Sequence, residues 1–348
     1  MHIADIHLGA SPDAGNSYSE ERPREIWESL RRVIGVCNEE EADVLLIAGD
    51  LFHRQPLLRE LKEVNYLFGT LEHTQVVLIA GNHDYLKKDS YYRTFSWGKN
   101  VHMLLDAQIT CVEIPELTLA VYGCSYHAKE ITEHKYDDAF PQNRQKYEIL
   151  LAHGGDEKHI PIQKDKLDRL GYDYIALGHI HKPQELIGKR AIYAGALEPI
   201  DKNDIGPHGY VIGEITDQGC KARFVKSASR EYIHLDIMAD KKMTGHSLKD
   251  HIRKRIEECG PQNIYKVTLR GFRDPDILFD PEMMDSYGNI IELVDDTKPA
   301  YDLERLMAQN KDNLLGKYIE SLKDYDEDSV EYLALCEGVQ ALMETRRG

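Results

Sequence analysis

Short apolar runs, each ending in glycine or a polar turn, punctuate the first half of the chain. Residues 44–48, 76–80, 149–152 and 174–177 are continuously apolar and only four or five residues long, the pattern of strands buried on both faces. Ile26, Leu30, Val33, Ile34 and Cys37 recur at helical spacing before residue 44, and Leu57, Leu61, Val64, Leu67 and Leu71 do the same before residue 76. An amphipathic helix is therefore predicted ahead of each of those strands. A strand is expected to open the chain from His2. Residues 109–113 and 117–124 read as a hairpin, and later strands are expected near 149, 174, 191, 209 and 220. The alternating runs 210–216 and 221–225 flank an Asp217-Gln218-Gly219 turn, which predicts a second hairpin. This alternation places the first part of the chain in the α/β class.

Around residues 227–231 the pattern changes. A strand over 232–237, a helix over 246–258 and a strand over 265–269 predict a small α+β unit ending near 295. From about 299 the chain reads helical. Leu303, Leu306 and Met307 open one stretch, and Leu314, Leu315, Tyr318 and Leu322 form the next. Val330, Leu333, Leu335, Val339 and Leu342 make a third beyond the acidic segment 324–328. The expected division is 1–228, 229–297 and 298–348, and a chain of 348 residues is long enough for two or three domains at roughly 100–200 residues each.

Composition narrows the setting. No run of 18 or more apolar residues and no charged leader followed by an apolar core is present, so neither membrane insertion nor export is expected. The six cysteines are scattered without C-x-x-C spacing and read as reduced thiols, which points to the cytoplasm. The formal net charge of −17 disfavours tight nonspecific binding to nucleic acid unless basic side chains are concentrated locally. Arg54, Arg59, Lys87, Lys88, Arg93 and Lys182 are the candidates.

Chemistry-bearing residues fall in five short blocks: Asp5-Ile6-His7, Gly49-Asp50-Leu51-Phe52-His53, Gly81-Asn82-His83-Asp84, Ala152-His153-Gly154-Gly155 and Gly178-His179-Ile180-His181. Each follows a predicted strand, and in such sheets ligands bind at the carboxyl ends of strands, so residues distant in sequence can converge. Mixed imidazole and carboxylate donors suit manganese, iron or zinc, and no block contains the cysteine of a structural zinc site. The remaining histidines, among them His73, His127, His159 and His208, read as surface or loop residues.

The order D-x-H, G-D-x-x-H, G-N-H-D, H-G, G-H-x-H resembles the calcineurin-like metallophosphoesterases. Within them, residues 2–9, 47–53 and 178–183 are similar to the SbcD and YhaO group of DNA repair nucleases. The likeness spans about the first 200 residues and implies a two-sheet α/β sandwich with outer helices, a small α+β cap domain and a C-terminal helical segment. It implies two divalent cations, manganese first and iron or zinc as alternatives. One would be held by Asp5, His7, Asp50 and His181, the other by Asp50, Asn82, His153 and His179, with Asp50 as the bridge. His83 would protonate the leaving oxygen, Asp84 would orient the His83 ring, and His53 would stand at the rim.

The resemblance also implies DNA as substrate and an SbcC-like coiled-coil ABC ATPase gripped by the C-terminal helices, which would otherwise pack on their own cap domain. A homodimer through the 57–71 region, with Tyr66 and Phe68 beside its leucines, is implied too, although the apolar stripe itself reads as ordinary core packing rather than as an interface. The competing functions are a small-molecule phosphodiesterase or phosphatase, because fold and metals do not fix substrate, and a non-catalytic DNA-end-binding subunit.

Overall fold

The computed structural model describes residues 1–327 and 329–345. Asp328, which closes the acidic segment, and residues 346–348 of the C-terminal segment lie outside the described residues. The chain divides into two compact units, Met1–Tyr232 and Ile233 onward.

The first unit opens with β1 (His2–Ile3), α1 (Arg22–Glu39), β2 (Val44–Ala48), α2 (Leu58–Phe68), β3 (Gln75–Ile79) and β4 (Val101–Met103). The hairpin β5 (Thr110–Ile114) and β6 (Leu119–Gly123) follows, then β7 (Tyr147–His153), α3 (Lys164–Arg169), β8 (Tyr174–Gly178), β9 (Gln184–Ile187) and β10 (Ala191–Tyr193). A second hairpin, β11 (Gly209–Thr216) and β12 (Gly219–Lys226), completes the unit. Two six-stranded sheets result, ordered β12-β11-β1-β2-β3-β4 and β5-β6-β7-β8-β10-β9. The inner strands β1 to β4 are parallel in one sheet, and β6, β7, β8 and β10 are parallel in the other. This is the α/β sandwich expected from the sequence.

Period-two alternation sorts the strands' side chains into three layers. Leu45, Ile47, Val76 and Leu78 pack with Ile26, Leu30, Val33 and Ile34 of α1 and with Leu61 and Val64 of α2. Their neighbours Leu46, Ala48, Val77 and Ile79 face Ile149 and Leu151 between the sheets. Leu150 and Ala152 turn the other way and join Ile175 and Leu177. Covering both faces of each central strand is what makes the runs continuously apolar. At about 1.5–3 kcal/mol per buried aliphatic side chain, these layers hold the strand ends rigidly in place. Local signals set the helix starts: Pro stands in the first turn of α1, and the Glu60 carboxylate accepts the Leu57 N–H at 2.8 Å ahead of α2.

The edge strand β9 has no counterpart in the sequence reading. Its Gln184 and Glu185 are exposed, so it shows no apolar run to detect.

The second unit carries β13 (Tyr232–Ala239), α4 (Gly245–Cys259), β14 (Ile264–Arg273), α5 (Pro281–Met284), β15 (Ile290–Asp295) and β16 (Lys298–Pro299). The helices α6 (Leu303–Gln309), α7 (Leu314–Leu322) and α8 (Val330–Glu344) follow. Strands β13-β14-β15 form a third sheet, with β16 also paired to β14. Leu248, Ile252 and Ile256 of α4 cover that sheet. Leu315 and Ile319 of α7 and Tyr332, Leu335, Cys336 and Val339 of α8 make a separate cluster against which Phe272 and Tyr301 pack. Among the described residues no helix is long and apolar enough to cross a membrane.

Candidate metal centre

Each of the five blocks leaves the carboxyl end of a parallel strand. Asp5 and His7 follow β1, Asp50 follows β2, and Asn82, His83 and Asp84 follow β3. On the opposing sheet His153 is the last residue of β7, and His179 and His181 follow β8. The backbone there is strained: Asp5 (φ 49°), His7 (φ 52°), Asp50 (φ 49°) and His179 (φ 95°) all have positive φ, a conformation that non-glycine residues adopt at a cost of about 1–3 kcal/mol and that concentrates at functional sites. Two glycines clear the space. A Cβ on Gly81 would collide with Asp50 and come within 2.7 Å of His153 Nε2, and one on Gly49 would meet the His153 ring, 2.7 Å from its Cγ.

Donor atoms from the two sheets meet in the gap. His7 Nε2 is 3.1 Å from His181 Nε2. The Asn82 amide oxygen is 2.9 Å from His153 Nε2 and 3.2 Å from His179 Nδ1. Asp50 stands between these groups, with Oδ2 3.4 Å from His153 Nε2 and 4.0 Å from His7 Nε2, while its Oδ1 accepts the His83 N–H at 2.8 Å. Asp5 accepts the His179 N–H at 2.9 Å. Within the assemblies Asp5–His7–His181 and Asp5–Asp50–His153, the ligand-type atoms lie within 4.8 Å of one another. Asp5, His7, Asp50, Asn82 and His153 are all buried.

Burial and mutual charge shift the protonation of the cluster. Burial pushes the Asp5 carboxyl up to about 6. Burial opposes the Asp50 carboxylate as well, yet His153 and then His7 and His83 hold it far below the usual range. The converse holds for two imidazoles. Burial disfavours charge on His153, but Asp50 and Asp5 carry it up to about 9; burial opposes charge on His181 too, and Asp204 and Asp5 bring it to about 9. Burial drives His7 well below its ordinary value and, with His153, brings His179 to about 4. Protons on imidazoles thus balance buried carboxylates, and bound cations would do so while releasing those protons, since imidazole ligates in its neutral form. The mixed oxygen and nitrogen donors fit first-row divalent ions.

Residues 1–183 match the calcineurin-like phosphoesterases, a stretch of more than half the chain. The chain belongs to that family. It is similar to the uncharacterized metallophosphoesterase YhaO of Bacillus subtilis, 29% identical over 295 residues that span 78% of this chain and 71% of YhaO. It is 28% identical over 216 residues to the DNA double-strand break repair protein Mre11 of Methanocaldococcus jannaschii, covering 59% of this chain and 57% of that protein. The Mre11 of Archaeoglobus fulgidus is 27% identical over 229 residues, 58% of this chain and 50% of that protein. The matched parts are about half of those two Mre11 chains. As a calcineurin-like phosphoesterase the protein is a hydrolase of a family that binds divalent metals.

One expectation for this phosphoesterase needs correction. Asp84 does not orient the His83 ring: its carboxylate accepts from Gly81 N at 2.8 Å, Phe52 N at 3.1 Å and the Tyr92 hydroxyl at 2.8 Å. His83 Nδ1 instead faces the His53 carbonyl at 3.1 Å. His208 lies in a loop and is buried there, with Nδ1 2.9 Å from the Gly206 carbonyl. His159, a loop residue as expected, joins Asp156 and His179 in a third assembly of ligand-type groups. His53 lies half-buried beside the centre, with Nδ1 3.4 Å from His7 Nδ1. The sequence reading also missed Asp156 and Asp204, which back His179 and His181 at 2.7 and 3.1 Å; neither sits in a recognisable motif.

Beside the centre runs a groove of about 630 Å³ whose lining includes His53, Arg54, His83, Tyr85, Lys87 and Lys129 and no acidic side chain. A cavity of about 700 Å³ at the other end of the strands, around Leu46, Ile149, Tyr174, Val211 and Cys220, contains none of the clustered residues.

Proposed function

We propose that this calcineurin-like phosphoesterase is a manganese-dependent DNA nuclease that works in double-strand-break processing with an SbcC-like coiled-coil ABC ATPase; iron or zinc are the alternative metals. One observation carries the reading: seven ligand-type side chains from five strand ends of two sheets turn their donor atoms onto one another, in a family whose relatives include proteins named for DNA double-strand break repair. Asp5, His7, Asp50 and His181 would hold one cation, and Asp50, Asn82, His153 and His179 the other, with Asp50 shared. When bound, two such ions ready a water for attack near neutral pH and neutralise the phosphoryl oxygens. His83, whose Nδ1 donates to the His53 carbonyl, turns Nε2 to the leaving oxygen and protonates it from the imidazolium form. His53 closes the rim on that side, and Asp84 braces the loop that carries His83 by binding Gly81 N, Phe52 N and Tyr92.

The groove supports a polyanionic substrate, since Arg54, Lys87 and Lys129 line it in a chain of net charge −17. Leu314, Val330 and Leu333, exposed on the C-terminal helices, are the surface offered to the ATPase. Leu58 and Tyr66, exposed on α2, are the surface offered to a second copy. The net acidity favours the second reading, a small-molecule phosphodiesterase. Hydrolysis of linear duplex, single-stranded DNA and bis-p-nitrophenyl phosphate with manganese distinguishes them. The nuclease reading expects cleavage of DNA at least as efficient as that of the small diester, and turnover confined to the small diester overturns it.

A further inference from the structure

Each histidine of the Gly178-His179-Ile180-His181 turn has one ring nitrogen in the centre and the other against a carboxylate that no motif marks. His179 points Nδ1 inward, 3.2 Å from the Asn82 amide oxygen, and Nε2 outward, 2.7 Å from Asp156 Oδ2. His181 is reversed, with Nε2 inward, 3.1 Å from His7 Nε2, and Nδ1 outward, 3.1 Å from Asp204 Oδ2. Both carboxylates are themselves held. Asp156 accepts Lys158 N at 2.8 Å and His159 N at 3.0 Å, and also faces His159 Nδ1 at 2.9 Å. Asp204 accepts Ile200 N at 3.0 Å and Asp201 N at 3.1 Å. His153 is held differently: its Nδ1 faces the Ala48 carbonyl at 2.8 Å, with Asp5 Oδ1 farther off at 3.9 Å.

A neutral imidazole carries one proton. A carboxylate against one nitrogen draws the proton there and leaves the lone pair on the other, so each acid decides which atom of its histidine is a ligand. We infer that Asp156 and Asp204 are positioning residues, one for each cation. Asp156 fixes the Nε2–H form of His179 for the ion shared with Asn82 and His153, and Asp204 fixes the Nδ1–H form of His181 for the ion shared with Asp5 and His7. The two carboxylates come from different loops and share no partner, so they set the two affinities separately. The inference rests on the two-cation reading above.

The test titrates manganese into the metal-free full chain by calorimetry and compares Asp156→Ala and Asp204→Asn with His179→Ala and His181→Ala. Asparagine at 204 keeps an oxygen for the Ile200 and Asp201 amides, so the turn is retained while the charge is lost. Asp156→Ala is expected to weaken by about 10–100-fold only the binding event that His179→Ala weakens, and Asp204→Asn only the event that His181→Ala weakens. Variants that leave both affinities within twofold, or that weaken both events equally, overturn the assignment. Nitrogen-15 NMR of the imidazoles in the metal-free chain at about pH 10, above the value of about 9 to which His181 is raised, so that both rings are neutral, is a second readout, independent of the two-cation reading. Loss of the Nε2–H form at His179 in Asp156→Ala, and of the Nδ1–H form at His181 in Asp204→Asn, supports positioning; unchanged tautomers overturn it. Should the unmodified chain bind no divalent ion, the two-cation reading fails by itself and the NMR result alone decides whether these acids set the tautomers.

Discussion

Asp50 is the residue on which the two halves of the centre depend, because Oδ2 stands between His153 and His7 while Oδ1 holds the His83 amide. Asp50→Asn removes the charge and keeps the size, so it is expected to lower both manganese affinities together and abolish turnover. Metal analysis that still finds two tightly held ions would refute the bridge. His83 has a different signature. His83→Gln is expected to bind manganese normally and lose about 10²–10⁴ in rate on DNA, and to lose much less on a p-nitrophenyl ester, whose leaving group needs no proton; equal losses on both substrates would remove His83 from the acid role. Far from the centre, burial and then the Met1 amino group lower His2 to about 3, with Nδ1 against the Tyr174 hydroxyl at 2.9 Å. The folded chain therefore keeps His2 neutral while the unfolded chain protonates it near 6.5. That contribution to stability is full above about pH 6.5 and is lost as pH falls towards 3, at up to about 1.4 kcal/mol per pH unit. Asp5 and Asp84, raised by burial to about 6 and about 7, act in the opposite sense between about pH 4 and 7, so the measurement is a difference: His2→Gln should flatten the fall of melting temperature between pH 6.5 and 4 relative to the unmodified chain.

At the scale of elements, the parallel strands are rods that end in the clustered side chains, and the turns after them let those side chains approach one another. Gly81 and Gly35 separate the two uses of glycine. An added Cβ at Gly81 meets Asp50 and His153, whereas one at Gly35, within α1, meets nothing within 4 Å. Gly35→Ala is expected to stabilise the chain by about 0.5–1 kcal/mol through helix propensity. Gly81→Ala is expected to cost about 1–3 kcal/mol by overpacking and to weaken cation binding at least tenfold by displacing Asp50. Denaturant melts of the two variants, read beside manganese titrations, check both, and a Gly81→Ala chain that binds manganese normally would show that the centre tolerates a wider gap.

For the molecule as a whole, the question is what the second unit contributes. Its C-terminal helices bury Leu315, Ile319, Leu335 and Val339 within their own cluster yet leave Leu314, Val330 and Leu333 exposed. The double substitution Val330→Glu, Leu333→Glu touches only the exposed set, so the melting temperature should hardly move. If the helices hold an ATPase, co-purification with it should be lost while hydrolysis of the small diester persists. Leu335→Glu, at a site 0% exposed, should instead disrupt the helical cluster. A double variant that is folded and still carries the ATPase rules out this surface as the anchor.

Much of this architecture was legible in the order of residues alone. Apolar runs of four or five residues named the central strands, because a strand covered on both faces needs no polar positions, and the five blocks stood where strand ends were expected. What distance along the chain hides was decided by the fold. His7 meets His181 across 174 residues, and the positive φ of Asp5, His7, Asp50 and His179 leaves no trace in composition. Adjacency also misled: Asp84 follows His83, yet successive side chains in this turn point apart and the acid binds Gly81, Phe52 and Tyr92 instead. Asp156 and Asp204 lie in loops where an aspartate usually faces water, and burial of the loop residue His208 has no local signal either. Local pattern determines which face of an element is apolar. Which polar side chains meet across the gap depends on how two sheets are stacked, and that is set by the packing of the whole core.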